Sequence, residues 1–396
     1  MDYEVARLAV SPAAGFPPAD LTSVRITFVM ATAGVGGGTL VVAEHAQRLI
    51  RLGHQVQVVS APIKPGTLRE KLSSWTRSAG KQTRHPSVFD EYGVDHRVLD
   101  RSRPVEDRDV PDADVVIATW WETAEWIANF GPEKGAKAYF IQHHEVFPYL
   151  PVERCRATYR LPFHKIVIAQ WLRQVMASEY GDTAVDLVPN SVDKTRFFAP
   201  ERGKQPVPTV GLLYSPTPFK ALDVSLAALQ AVRSRLPNLR ILSFGSMRPL
   251  PQFPLPAGTD FFLSPPRDKI RNIYDQCDVW VTASRSEGFN LPAMEAMACR
   301  TPVVSTRTGW PAEAIVSGSN GVLVDIDDVE AIASGIEWVL AQSPDAWERL
   351  SANAFSTVAS SSWDASAKLF EGALLNACAR AARREIAGGV GKSLVH

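Results

Sequence analysis

Short apolar runs alternate with longer stretches whose apolar positions recur every three to four residues, from residue 24 almost to the end of the chain. The run 24–30 predicts a strand. It leads through the glycine-bearing segment 34–38 into positions 39–52, where Val41, Val42, Ala46 and Leu49 recur at helical spacing. A second strand is expected over 55–59. The runs 114–119, 137–141 and 165–169 lack the polar alternation of a half-exposed strand and predict buried members of a parallel sheet. The segment 186–190 closes this first series. A second series follows, with strands at 209–214, 239–244, 278–284, 301–305 and 321–325, a helix at 221–235 and closing helices over 329–384. Two consecutive βα series predict an α/β protein of two doubly wound, Rossmann-like domains facing across a cleft. The expected divisions are an arm at 1–23, a first domain at 24–198 and a proline-rich linker at 199–208. A second domain at 209–365 and a final helix and tail at 366–396, returning to the first domain, complete the chain. Residues 62–88, rich in Lys, Arg, Ser and Thr, read as an insertion.

Composition narrows the classes of function. The 396 residues carry 42 Lys plus Arg and 42 Asp plus Glu, so the formal net charge is zero. That balance argues against a nucleic-acid partner. Cys155, Cys277, Cys299 and Cys378 are widely separated and form no Cys-x-x-Cys pair, as expected of buried thiols in a reducing compartment. Asp2, Glu4, Pro12, Pro17, Pro18 and Asp20 interrupt any apolar leader at the start, and no apolar run is long enough to span a bilayer. A cytoplasmic location is expected. Arg380, Arg383 and Arg384 leave room for peripheral contact with the inner membrane face.

The chemistry concentrates at Glu287-Gly-Phe-Asn-Leu-Pro-Ala-Met-Glu295. Asn290 suits a helix cap and Pro292 a first helical turn. The preceding strand and this turn set the amides of Phe289, Asn290 and Leu291 at a positive helix end, where a diphosphate is welcome. Glu295, one turn into the helix, is placed to reach nucleotide sugar hydroxyls, and Glu287 to face a glycosyl group.

These residues resemble the Glu-(seven residues)-Glu motif of the family-four retaining glycosyltransferases, which have the GT-B fold. Glu287-Gly-Phe-Asn-Leu-Pro, Glu295-Ala-Met-Ala-Cys and Thr301-Pro-Val-Val match that family in order and spacing. The resemblance implies transfer of a hexose from a nucleoside-diphosphate sugar to a hydroxyl acceptor, with retention. The acceptor would be a glycan, a glycolipid or another lipid-linked precursor of cell-surface polysaccharide. It further implies that the first domain holds the acceptor and the second the nucleotide, with no metal and no cofactor beyond the sugar donor. Lys220 fills the family's diphosphate-binding lysine place, so Glu287, Lys220 and a histidine, His144, become the catalytic candidates. Tyr214 stands where the family has an arginine, and Ala221 where it has a glycine. Donor binding falls to Gly37, Gly38, Tyr214, Lys220, Gly288, Phe289, Asn290, Leu291 and Glu295. Acceptor binding falls to His143, His144, Glu145 and Trp121. His144, followed by an acid, is the preferred match to the family's histidine; His143 is close behind, because a one-residue shift reverses which ring points inward.

A faint similarity to rhamnan-type rhamnosyltransferases rests on Tyr214, Phe244-Gly245 and Gln142-His-His-Glu145, and makes deoxythymidine-diphosphate rhamnose a first donor to try. Rival readings are a sugar-nucleotide epimerase, a phosphorylase, or a non-catalytic glycan- or nucleotide-binding protein. Other motifs fall away. Thr39 replaces the third glycine of a dinucleotide-binding loop, and Ile386 the first glycine of a P-loop ahead of 389–393. Asp112 with Asp114, and Asp325 with Asp327, read as strand-edge punctuation.

Overall fold

The computed structural model describes residues 23–34, 36–63 and 87–389. The arm at 1–23, the insertion at 62–88 and the segment 389–393 fall almost wholly outside the described residues. Among the described residues, the apolar runs form two sheets, parallel throughout. The first comprises β1 (Arg25–Met30), β2 (Gln55–Ser60), β3 (Asp95–Val98), β4 (Val115–Ala118), β5 (Ala136–Ile141), β6 (His164–Val167) and β7 (Val185–Leu187), in the order β3-β2-β1-β4-β5-β6-β7. The second comprises β8 (Thr209–Leu213), β9 (Arg240–Gly245), β10 (Asp260–Leu263), β11 (Val279–Thr282), β12 (Val303–Thr306) and β13 (Gly321–Val324), ordered β10-β9-β8-β11-β12-β13. Phe28 pairs with Val58 on one side and Ile117 on the other; Val281 pairs likewise with Leu212 and Val304. Strand order reverses between β1 and β4 and between β8 and β11, and such switch points open crevices outside the carboxyl ends of the strands.

β4, β5 and β6 are buried along their whole length; β4 is wholly apolar, while Lys137 of β5 and His164 and Lys165 of β6 are buried with their polar ends hydrogen-bonded. β3 and β10 escaped the sequence reading; both are short and largely exposed, Asp95-His-Arg-Val98 and Asp260-Phe-Phe-Leu263. The closing segment is three helices, Val329–Leu340, Pro344–Ala359 and Trp363–Ala382, the later two capped by Ser343 and Ser362. The last of them lies against helix Gly37–Arg51 and β5. One apolar cluster joins Phe28, Phe140 and Phe370 to Trp280, Phe289 and Met294, so the first sheet and the glutamate-bearing segment rest on continuous packing.

His45 sits inside that cluster, stacked on Phe370 at 4.5 Å and edge-on to Phe140 and Trp363, with neither ring nitrogen partnered. Burial, helped by Arg48, drives its pKa down to about 3. The folded chain therefore holds His45 neutral while the unfolded chain protonates it near its ordinary value. Its contribution to stability is full above about pH 6.5 and drains away as pH falls toward 3, by on the order of 4 kcal/mol. His45→Leu is expected to flatten the fall of melting temperature between pH 7 and pH 4; a slope equal to that of the unaltered protein would refute the assignment.

Candidate active site

The carboxyl end of β11 delivers the chain into the turn that carries Glu287. Asn290 closes that turn in the left-handed region (φ 80, ψ 64), which asparagine tolerates better than most residues. Its Oδ1 accepts the Ala293 N–H at 3.3 Å, and its Nδ2 donates to Thr282 Oγ1 at 2.9 Å. The cap fixes the start of helix Leu291–Ala298, with Pro292 in the first turn.

Glu287, 5% exposed, is gripped from two sides. The Ser284 hydroxyl donates to Oε1 at 2.6 Å, and Lys220 Nζ lies 2.7 and 2.8 Å from the two carboxylate oxygens. Lys220 ends the short turn Pro218–Lys220 after β8. The next residue, Ala221, is left-handed (φ 47, ψ 49), a conformation glycine takes freely and alanine adopts at a cost of roughly 1–2 kcal/mol. That backbone supplies the physical reason a glycine suits the position. Lys220, Glu287, Ser215, Ser284, Thr282 and Asn290 line an open crevice.

Glu295 faces a different space. Helix Leu291–Ala298 turns it toward a narrow gap between the two halves, bordered by Leu40 and Glu44 from the first and by Arg267 and Leu291 from the second. Tyr274 donates its hydroxyl to Glu295 Oε2 at 2.9 Å, and burial pushes the carboxyl pKa up against the pull of Arg267. The two glutamates thus serve neighbouring spaces on either side of one helix start. Across the gap, Arg267 Nη1 donates to Tyr92 Oη at 2.7 Å, and Tyr92 Oη donates to Glu44 Oε1 at 2.6 Å.

The histidine pair divides as alternation along an extended chain requires. His143 turns to the second half, with Nε2 3.3 Å from Ser286 Oγ and its ring against Phe147, Phe219 and Trp171. Burial holds its pKa below the usual histidine value. His144 turns away to Tyr180 Oη at 2.7 Å. The preference for His144 is therefore reversed, and His143 is the ring beside Glu287.

Three further expectations need correction. Glu145 is 1% exposed, accepting the Trp121 N–H at 2.7 Å and the Tyr139 hydroxyl at 3.2 Å, and burial raises its pKa well above the carboxylate range. Its Oε2 clamps the protein's own chain, and burial closes the carboxylate to an acceptor. Trp121 is 5% exposed in the first turn of helix Trp121–Ala128, beneath the Arg154 guanidinium, and packs as core. Tyr214 is also core: its hydroxyl accepts the Leu250 N–H and donates to the Phe253 carbonyl, tying down the loop after β9.

Gly37 and Gly38 belong to the first turn of helix Gly37–Arg51, capped by Gly36. Nothing would obstruct a side chain at Gly36 or Gly37, whereas Gly38 abuts Gln142, whose Nε2 donates to its carbonyl at 3.2 Å. Gly288 is the tightest point. A Cβ there would overlap the Gln142 carbonyl oxygen, and Trp171 Nε1 donates to the Gly288 carbonyl at 2.9 Å. Phe289 is buried and stacks on Trp310. Asp114 binds Arg25, while Asp325 and Asp327 pair with Arg307 and Arg285. Among the described residues, no three His, Cys, Asp or Glu side chains gather as a metal ion requires.

Sequence reasoning missed Glu44, Tyr92, Trp171, Arg267 and Ser286. Only Trp171 left a signal, following a first-half strand at the edge where ligands bind. Ser286 adjoins Glu287 without a feature that singles it out, and Glu44, Tyr92 and Arg267 are ordinary residues far apart in sequence, joined where the two halves meet.

Residues 206–342 match the family described as Glycosyl transferases group 1. The chain is 33% identical over 147 residues to D-inositol 3-phosphate glycosyltransferase of Mycolicibacterium smegmatis, covering 34% of this chain and 33% of that one. It is 27% identical over 301 residues to the GDP-mannose-dependent alpha-(1-6)-phosphatidylinositol monomannoside mannosyltransferase of the same organism, covering 67% of this chain and 76% of that one. The chain thus spans about a third of the length of the inositol-phosphate relative. Among solved structures it resembles Anabaena Alr3699/HepE in complex with UDP-glucose, with a TM-score of 0.69, 14% identity, and coverage of 89% of this chain and 100% of that one. It also resembles S. aureus TarM bound to UDP, with a TM-score of 0.67, 11% identity, and coverage of 89% and 99%. The fold is GT-B, two Rossmann-like sheets across a crevice.

Proposed function

We propose that the chain is a retaining glycosyltransferase that moves a hexose from a nucleoside-diphosphate sugar to a hydroxyl of a glycan or lipid-linked acceptor on the cytoplasmic side of a membrane. The observation that carries this reading is the Lys220–Glu287 pair, held beside a capped helix start at the switch point of the second sheet. A diphosphate entering there competes with Glu287 for the Lys220 ammonium. As the pair parts, Lys220 and the helix-start amides neutralise charge building on the leaving phosphate. The released Glu287 then faces the glycosyl centre. The departing phosphate takes the acceptor's proton on the same face, which gives retention. His143, kept neutral by burial, is positioned to hydrogen-bond the sugar or acceptor. Glu295 takes the ribose hydroxyls in the gap it shares with Arg267. These positive groups do the work a divalent ion does elsewhere.

The donor is open among three classes worth testing first. One relative is named as GDP-mannose-dependent and one solved neighbour holds UDP-glucose, and deoxythymidine-diphosphate rhamnose completes the panel. Thermal-shift titration with the three diphosphates and their sugars should raise the melting temperature for one base, and Glu295→Ala should weaken that response at least tenfold. Failure of every nucleotide to stabilise the protein would overturn the reading. In the transfer assay that follows, chelator should leave the rate unchanged, whereas loss restored by magnesium would remove the metal-free mechanism. Labelled donor returned as an epimer, or consumed only with inorganic phosphate, would identify a different GT-B enzyme.

A further inference from the structure

A row of aromatic rings joins the reactive end of the crevice to the outer surface. Lys220 Nζ stands 5.7 Å from the centre of the Phe219 ring. Phe219 stacks on Phe147 at 5.1 Å and 17°, and Phe147 on Tyr149 at 5.3 Å and 3°. Phe219 belongs to the second half, Phe147 and Tyr149 to the first. Phe147 is enclosed at 9% exposure, while Tyr149 is 60% exposed. The row is rigid. Glu145 anchors its base by donating its N–H to Tyr159 Oη at 2.8 Å, and the Leu150 N–H closes a turn on the Phe147 carbonyl at 2.9 Å.

We propose that the outer face of Tyr149 is an acceptor subsite for a pyranose ring of a glycan, removed by several sugar units from the hydroxyl that receives the transferred sugar. The proposal rests on the transferase reading and specifies its acceptor as an oligosaccharide. A pyranose presents a C–H face to an aromatic ring and keeps its hydroxyls in water, and a pre-ordered tyrosine gives contact area at little entropic cost. Phe147 is enclosed between Phe219 and Tyr149, so the open face is the outer face of Tyr149, and the row sets the distance between that face and Lys220. A hydrocarbon chain fits less well. The helix Val152–Thr158 that follows Tyr149 presents Glu153 and Arg154 to solvent, and a single ring face is not a continuous apolar groove.

The test compares the full chain with Tyr149→Ala and Tyr149→Phe. Saturation-transfer NMR and calorimetry would follow methyl α-mannoside, mannobiose and mannotriose, the corresponding glucosides, and dodecyl maltoside below its micellar concentration. Affinity is expected to rise about tenfold from mono- to trisaccharide in the unaltered chain and in Tyr149→Phe, roughly the worth of one ring contact. Tyr149→Ala should bind all three lengths alike while keeping the same thermal shift with nucleoside diphosphate. A length dependence that is absent from the unaltered chain, survives in Tyr149→Ala, or is replaced by a gain from the alkyl chain overturns the subsite. Loss of nucleotide binding by the unaltered chain would instead strike the transferase reading, and the two failures are read in separate experiments.

Discussion

Gly288→Ala is expected to reduce transfer at least a hundredfold while leaving nucleoside-diphosphate affinity within about threefold of the unaltered protein. The added methyl would occupy the position of the Gln142 carbonyl oxygen, a backbone atom that cannot rotate aside. Either the turn bearing Glu287 or the segment bearing His143 must retreat. Retreat stretches the Trp171–Gly288 and His143–Ser286 contacts that hold the halves together beside the carboxylate. A misplacement of about 1 Å at reacting groups costs on the order of a hundredfold in rate. Glu295 is held within the second half by Tyr274, away from the clash, so affinity should fall far less than turnover. Measured side by side, equal losses in both would mean that the substitution disturbs the whole second half. An unchanged rate would mean that the halves do not touch here during turnover.

The fold was legible where one physical demand dominated. Central parallel strands are buried on both faces, and the apolar runs 115–118, 138–141 and 166–169 mark β4, β5 and β6. The cap at Asn290 and the proline beside it marked a helix start within one residue, because orphan amides accept few solutions. Edge strands make no such demand, and β3 and β10 were invisible. At the site, local spacing placed Glu287, Glu295 and Lys220 beside the helix start, but local reading failed wherever orientation decided the outcome. His143 and His144 differ by one position in an extended segment, and only packing against Phe219 and Tyr180 settles which ring faces the second half. Glu145 and Tyr214 have the chemistry of binding residues, yet both are consumed by the protein's own backbone. The Glu44–Tyr92–Arg267 bridge depends on contacts between halves that no periodicity encodes.

Lys220→Ala should lower both stability and turnover, and adding Glu287→Gln should return the first without the second. Removing the ammonium leaves a carboxylate that is 5% exposed with Ser284 as its remaining hydrogen-bond donor. Breaking a buried pair costs about 3–5 kcal/mol, but the Lys220 side chain is 24% exposed, and solvent screening brings the expected loss to about 2 kcal/mol. Glutamine at 287 carries no charge to strand, so the double variant should melt close to the unaltered protein. Turnover answers to different physics. A preorganised cation at the leaving group is worth about a hundred- to a thousandfold in rate, and neutralising its ground-state partner cannot replace it. Melting temperatures and single-turnover rates of the three proteins decide the matter. If the single variant melts and reacts like the unaltered chain, the pair is a surface accident. If the double variant recovers turnover, the ammonium serves only to hold Glu287 in place, and the charge on the diphosphate must be met by the helix-start amides alone.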